Sequence, residues 1–230
     1  MQGTVPFVLA VLATMSLLMT AWPTASAAPR KMVSAPVTLQ TKSGNVTLGR
    51  EKSEAERCQE CHGVDGQGAG HSNGAEGKFA KLAGQYPEYI LKQIRDFRSG
   101  ARKHDVMSIM AGSVEDDDVL DIAAYFASRP PMKGDPGRLN PVGRKLYLEG
   151  DPGRGIPACA GCHGAEGKGQ NLSGTLSPVV GGQEWLYLDK QLREWRNGGR
   201  TNSAGGVMNL VTQPLTDDEI AALADYISSL

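Results

Sequence analysis

The chain has 230 residues with 24 basic and 25 acidic side chains, a net charge of −1, so it carries no basic surface of the kind that binds nucleic acid. Divided after Pro130, it holds 14 basic and 14 acidic residues, then 10 and 11, so neither half sets up a strong field. The length suits one large domain or two of about 100 residues, and a domain that small builds only a thin core unaided.

Residues 1–27 read as a secretory signal. An apolar run over 5–22 precedes Ala25-Ser26-Ala27, a small-residue cleavage site that would leave Ala28 as the new N-terminus. No Lys or Arg precedes the run, and it approaches the length of a membrane span. Retention as an anchor, with peripheral membrane association, is therefore the alternative. Residues 28–48 are polar and aperiodic and read as a flexible lead-in. A short helix is expected from Gly49 to Arg57, running into Cys58-Gln59-Glu60-Cys61-His62.

That pentapeptide returns as Cys159-Ala160-Gly161-Cys162-His163, and the two motifs use all four cysteines. C-x-x-C-H is the attachment signature of a c-type haem. Thiols at this spacing can add to the two vinyl groups along one porphyrin edge, and the next residue is a histidine suited to ligate the iron. A zinc ribbon would place its second pair roughly 15–20 residues on, whereas here the first cysteines are 101 apart. A disulfide within each pair would leave the adjacent histidine unexplained twice. Export agrees with the haem reading.

After His62 comes a glycine-rich loop containing His71, which reads as a solvated side chain rather than a ligand. A helix is expected over Pro87–Ser99, with proline in its first turn, an apolar stripe of Tyr89, Ile90, Ile94 and Phe97, and Gly100 to end it. A second is expected from Val114 to Ser128, with Ser113 as N-cap and the acidic run 115–118 as a favoured first turn. Residues 130–141, with four prolines and two glycines, read as the linker.

The second half repeats the first. Gly143 to Tyr147 opens a short helix, and the segment from Tyr187 aligns residue by residue with that from Tyr89. Thr216 to Glu219 is a capping box for a terminal helix that turns Ile220, Leu223, Ala224 and Ile227 inward. Each half then needs a sixth iron ligand. Met208 is the last methionine of the chain, 49 residues after Cys159, and Met107 stands 49 after Cys58. The duplication favours Met107 over Met110, whose counterpart is Val211, with His104 a minor alternative. A thioether on iron raises the potential and suits electron transfer.

Lys81-Leu82-Ala83-Gly84-Gln85 and Val179-Val180-Gly181-Gly182-Gln183 follow the two motifs. Phe97 to Arg102 and Trp195 to Arg200 come next, then a methionine, then Tyr125-Phe126 and Tyr226-Ile227. With these pieces, residues 45–230 resemble the cytochrome c4 family. The resemblance implies an all-α fold of two tandem class I cytochrome c domains, 49–129 and 142–230. Each domain would wrap one covalent haem c, held by Cys58 and Cys61 or by Cys159 and Cys162. The iron ligands would be His62 with Met107 and His163 with Met208. The family has a proline whose carbonyl accepts the proximal histidine's Nδ1 proton. Pro178 fills that place in the second half, but Ala80 stands there in the first. The first half also lacks an aromatic matching Tyr147.

The function implied is a periplasmic diheme carrier, not an enzyme, moving single electrons between redox protein partners. These would be a donor reductase and an acceptor oxidase or reductase. The alternative is the electron-accepting subunit of a complex such as a flavocytochrome c sulfide dehydrogenase. A thiolate-ligated thiosulfate-oxidising enzyme would need a fifth cysteine, and a peroxidase would need an open iron. The acidic run, Ala80 and the polar entry helix together suggest that the first haem has the lower potential.

Overall fold

The computed structural model describes residues 43–68, 79–172 and 174–230. The expected signal, most of the lead-in and His71 lie outside the described residues. Helices α1 (Val46–Ala55), α2 (Cys58–His62), α3 (Pro87–Ser99), α4 (Met107–Ser113) and α5 (Asp116–Ala127) form the first half. Helices α6 (Pro141–Glu149), α7 (Ala160–His163), α8 (Trp185–Asn197), α9 (Val207–Thr212) and α10 (Asp217–Ser229) repeat that order. The departures from an all-α chain among the described residues are a single antiparallel bridge between Asp151 and Ile156 and a short antiparallel hairpin, β1 (Gln170–Leu172) with β2 (Thr175–Ser177), between α7 and α8.

In each half the first and last helices cross at a glycine. A Cβ on Gly49 would lie 1.9 Å from the Asp121 carbonyl oxygen, and one on Gly143 would lie 1.8 Å from that of Ala222. Hydrogen at these positions lets two backbones touch, and the core closes round the crossing. Ile122 and Phe126 pack in the first half, and Leu146, Leu223 and Ile227 in the second.

Helix α1 begins at Val46, ahead of the expected Gly49, because Asn45 caps it by accepting from the Thr47 and Leu48 amides at 2.9 and 3.1 Å. Residues 46–48 therefore belong to the helix and not to the lead-in. Asn140 does the same for α6, accepting from Val142 and Gly143, so Pro141 is helical rather than the linker's last residue. Both ends of α3 fall where expected, with Gly100 at φ 76°. Ser113 does not cap α5. It ends α4, its hydroxyl donates to the Met110 carbonyl, and Glu115 occupies the N-cap. Three aspartates in the first turn of α5 place negative charge at the positive end of the helix dipole instead. The expected capping box of α10 is present on Thr216 and Glu219.

The missing counterpart of Tyr147 is made good from another helix. Tyr147 is fully buried and its hydroxyl donates to the Gly164 carbonyl at 2.7 Å. Its place in α1 is taken by the buried Ser53, and Tyr125 of α5 donates to the Val64 carbonyl at 2.5 Å.

The halves lock reciprocally. Gln85 donates to the Val179 carbonyl and accepts from its amide, at 2.9 and 3.1 Å. Gln183 does the same with Lys81, at 3.0 and 2.6 Å. The connector is tied down as well: the Asp135 amide donates to the Ser228 carbonyl, and Met132 is buried with its sulfur accepting from Gln183.

Candidate functional site

Helix α2 ends on His62 and α7 on His163, so each C-x-x-C-H is one turn of helix followed by glycine. The His62 Nδ1 lies 2.7 Å from the Ala80 carbonyl oxygen, and the His163 Nδ1 lies 3.0 Å from that of Pro178. A carbonyl only accepts, so Nδ1 carries the proton in both rings and Nε2 keeps its lone pair. Burial holds both imidazoles below their usual range, which keeps them neutral and able to ligate. Ala80 serves as well as Pro178 because the contact uses only the main chain.

Cys61, His62 and Met107 line one cavity, walled by Leu82, Ile90 and Phe97. Met110 is not on that wall. Cys58 packs against the adjoining hydrophobic cluster. Cys159 and Met208 line a second apolar cavity with Leu146, Leu192 and Ile227, while Cys162 is exposed. No two of the four cysteines pair in a disulfide, and burial pushes the Cys58 and Cys159 thiols up to about 11. Among the described residues, no group of three or more His, Cys, Asp or Glu side chains is arranged to hold a metal ion. The zinc alternative therefore has no geometry there.

His104 also faces the first cavity, but its Nδ1 accepts from the Val106 and Met107 amides, each at 3.3 Å. It caps the start of α4 and so positions Met107. Two thiols, a neutral imidazole with a free lone pair and a thioether around an apolar cavity form a donor set that fits a c-type haem. The second half offers the same four groups, of which Cys159 and Met208 share a cavity.

Three features suggest a lower potential for the first haem, and the structure sets a counterweight beside them. Asp116 pairs with Arg98, and Asp118 and Asp121 pair with Lys52, so much of the acidic face is offset. His62 is buried and His163 half-buried. Ala80 provides the carbonyl expected of a proline.

Sequence reasoning did not find a polar belt between the halves. Gln93 and Gln191 are buried on the core faces of α3 and α8. Each amide oxygen accepts from both Arg102 and Arg200, at 2.6 to 3.1 Å. Arg102 also reaches the Tyr187 hydroxyl and Arg200 that of Tyr89, both at 3.1 Å. Burial pushes the Tyr187 phenol up, but the two guanidiniums outweigh it and bring it below its usual range. The recurrence of glutamine at the same core-facing position of a duplicated helix was the available signal.

The cytochrome c family matches this chain twice, over residues 46–130 and 143–230. The chain is 40% identical over 176 residues to cytochrome c4 of Thiocapsa roseopersicina, covering 75% of this chain and 86% of that one. It is 36% identical over 188 residues to a thiosulfate dehydrogenase electron acceptor of Stutzerimonas stutzeri, covering 80% and 83%. The crystal structure of reduced recombinant cytochrome c4 from Pseudomonas stutzeri superposes with a TM-score of 0.71 at 37% identity, covering 82% of this chain and all of that one. A doubled cytochrome c fold, two C-x-x-C-H turns and these likenesses place the chain in the cytochrome c4 family, electron carriers with two c-type haems.

Proposed function

We propose that this chain shuttles single electrons in the periplasm through two His/Met-ligated irons, His62 with Met107 and His163 with Met208. The observation that carries this reading is the convergence of His62 and Met107 on one apolar cavity, with Met110 off its wall. Cys58 and Cys61, like Cys159 and Cys162, would hold the porphyrin as thioethers. The Ala80 and Pro178 carbonyls orient the imidazoles, and Leu82, Ile90 and Phe97 exclude water. Bound haem supplies reversible one-electron exchange between Fe(III) and Fe(II). The haem-holding units are 46–129 and 141–230, joined by the connector between them.

Periplasmic placement is supported by the signal-like residues 1–27 and by the need to attach c-type haem outside the cytoplasm. No helix among the described residues is long and apolar enough to cross a membrane. The partners are a donor reductase and an acceptor oxidase or reductase. The likeness to a thiosulfate dehydrogenase electron acceptor favours a sulfur-oxidising enzyme as donor, which keeps the reading as an electron-accepting subunit alive.

A reductive titration followed from the visible to the near infrared tests this. Two electrons per chain and an Fe(III)–thioether absorption that disappears on reduction are expected. A high-spin iron in the resting protein would contradict the ligation.

A further inference from the structure

Lys81 and Val179 occupy matching places in the two halves, and their backbones are held alike. The Gln183 side chain bonds both main-chain groups of Lys81, and that of Gln85 bonds both of Val179. Only the side chains differ. That of Lys81 is 12% exposed, and its Nζ donates to the Lys133 and Gly182 carbonyls at 2.7 and 2.8 Å. Glu184 stands 3.8 Å away, beyond ordinary hydrogen-bond length, so the ion pair is loose. Burial holds the ammonium below the ordinary lysine range, while Glu184, Asp135 and Asp65 favour its charged form. Lys81 also lines the cavity that holds His62 and Met107, one residue beyond the Ala80 carbonyl that orients His62. The wall of the second cavity carries no charged side chain. Two other cations line the first cavity. Arg102 has a counterpart in Arg200, and Lys190 is more than half exposed and pairs with Glu194.

We propose that Lys81 sets the potential of one haem alone, its buried charge raising that of the His62–Met107 iron. The inference rests on the two-haem reading above. It adds a chemical difference between two sites whose ligands are the same. Reduction places an electron on iron, and a cation nearby favours the reduced form. In a water-poor setting that bias is stronger than the bias of a screened surface charge. Carbonyl dipoles hold the ammonium without cancelling its charge, and only a loose ion pair opposes it. Val179, an isopropyl group in the same backbone frame, supplies no such bias. One side-chain difference thus separates two potentials built on one duplicated fold.

Spectroelectrochemical titration of the holoprotein at neutral pH tests this, with Met107→Ala run alongside to mark which wave belongs to the first haem. Lys81→Met is expected to lower that wave alone, and the charge-retaining Lys81→Arg to restore most of the shift. A shift of the other wave, equal shifts of both, or no shift would overturn the proposal. Glu184→Gln leaves position 81 intact and decides the matter should the Met variant not accumulate. Loss of the nearest counter-charge is expected to raise the same wave, so a fall, an equal rise of both waves or no change again overturns it. A purely structural role at the seam would not produce this pair of opposite shifts. The near-infrared thioether absorption, recorded on the same samples, separates the failures. If wild type lacks it, the ligation reading fails and this inference with it. If every variant at positions 81 and 184 keeps it while the waves do not follow the charge, only the role of Lys81 fails.

Discussion

Met107→Ala and Met208→Ala should each abolish about half of the Fe(III)–thioether absorption and lower one of the two reduction waves by a few tenths of a volt. That size follows from the range of about 0.8 V over which axial ligands set haem potentials. A thioether favours Fe(II), whereas water or hydroxide in its place favours Fe(III). Met107 is the first residue of α4, whose start is capped by His104, and it faces the cavity that holds His62. Met208 occupies the second position of α9 and faces the cavity that holds Cys159. Met110→Ala is the control and should leave the absorption intact. Loss of the band in Met110→Ala, with Met107→Ala unaffected, would overturn the assignment in the first half.

Gly49→Ala and Gly143→Ala should destabilise the protein even though alanine is the better helix former. Helix propensity alone would reward each change by about 1 kcal/mol. Sterics oppose it: the new methyl would stand 1.9 Å from the Asp121 carbonyl oxygen or 1.8 Å from that of Ala222, and both obstacles are backbone. The helices must part, opening the core under Tyr125 or Tyr147. Overpacking of this kind costs about 1–3 kcal/mol and occasionally more, which set against the propensity gain leaves a net loss of up to about 2 kcal/mol, at its largest here because both obstacles are backbone. Denaturant unfolding of each variant beside wild type gives the sign. An increase in stability would show that the crossing has slack.

Much of this architecture was legible in the sequence, for identifiable reasons. The ends of α3 were marked by Pro87 and Gly100, which act through their own backbone preferences. The duplication pointed to Met107 rather than Met110, and Met107 lines the cavity with His62. Where the sequence misled, the deciding partner was distant or of ambiguous sign. Asn45 sat in a stretch without apolar periodicity, and its cap mattered only because Gly49 carries α1 across α5. Ser113 fits the start of one helix as well as the end of another, and packing put it at the end of α4. The replacement of Tyr147 by Tyr125 came from a different helix. Gln93 and Gln191 are buried polar side chains whose partners lie in both halves, so their purpose appears only when the two halves face each other.

The central claim, two covalent haems on one chain, is tested most directly by the intact mass of the protein purified under denaturing conditions. Four cysteines in two motifs predict a mass equal to the processed chain plus two haems, with no thiol left for alkylation. A mass carrying one haem or none, or free thiols that take up the label, would contradict it.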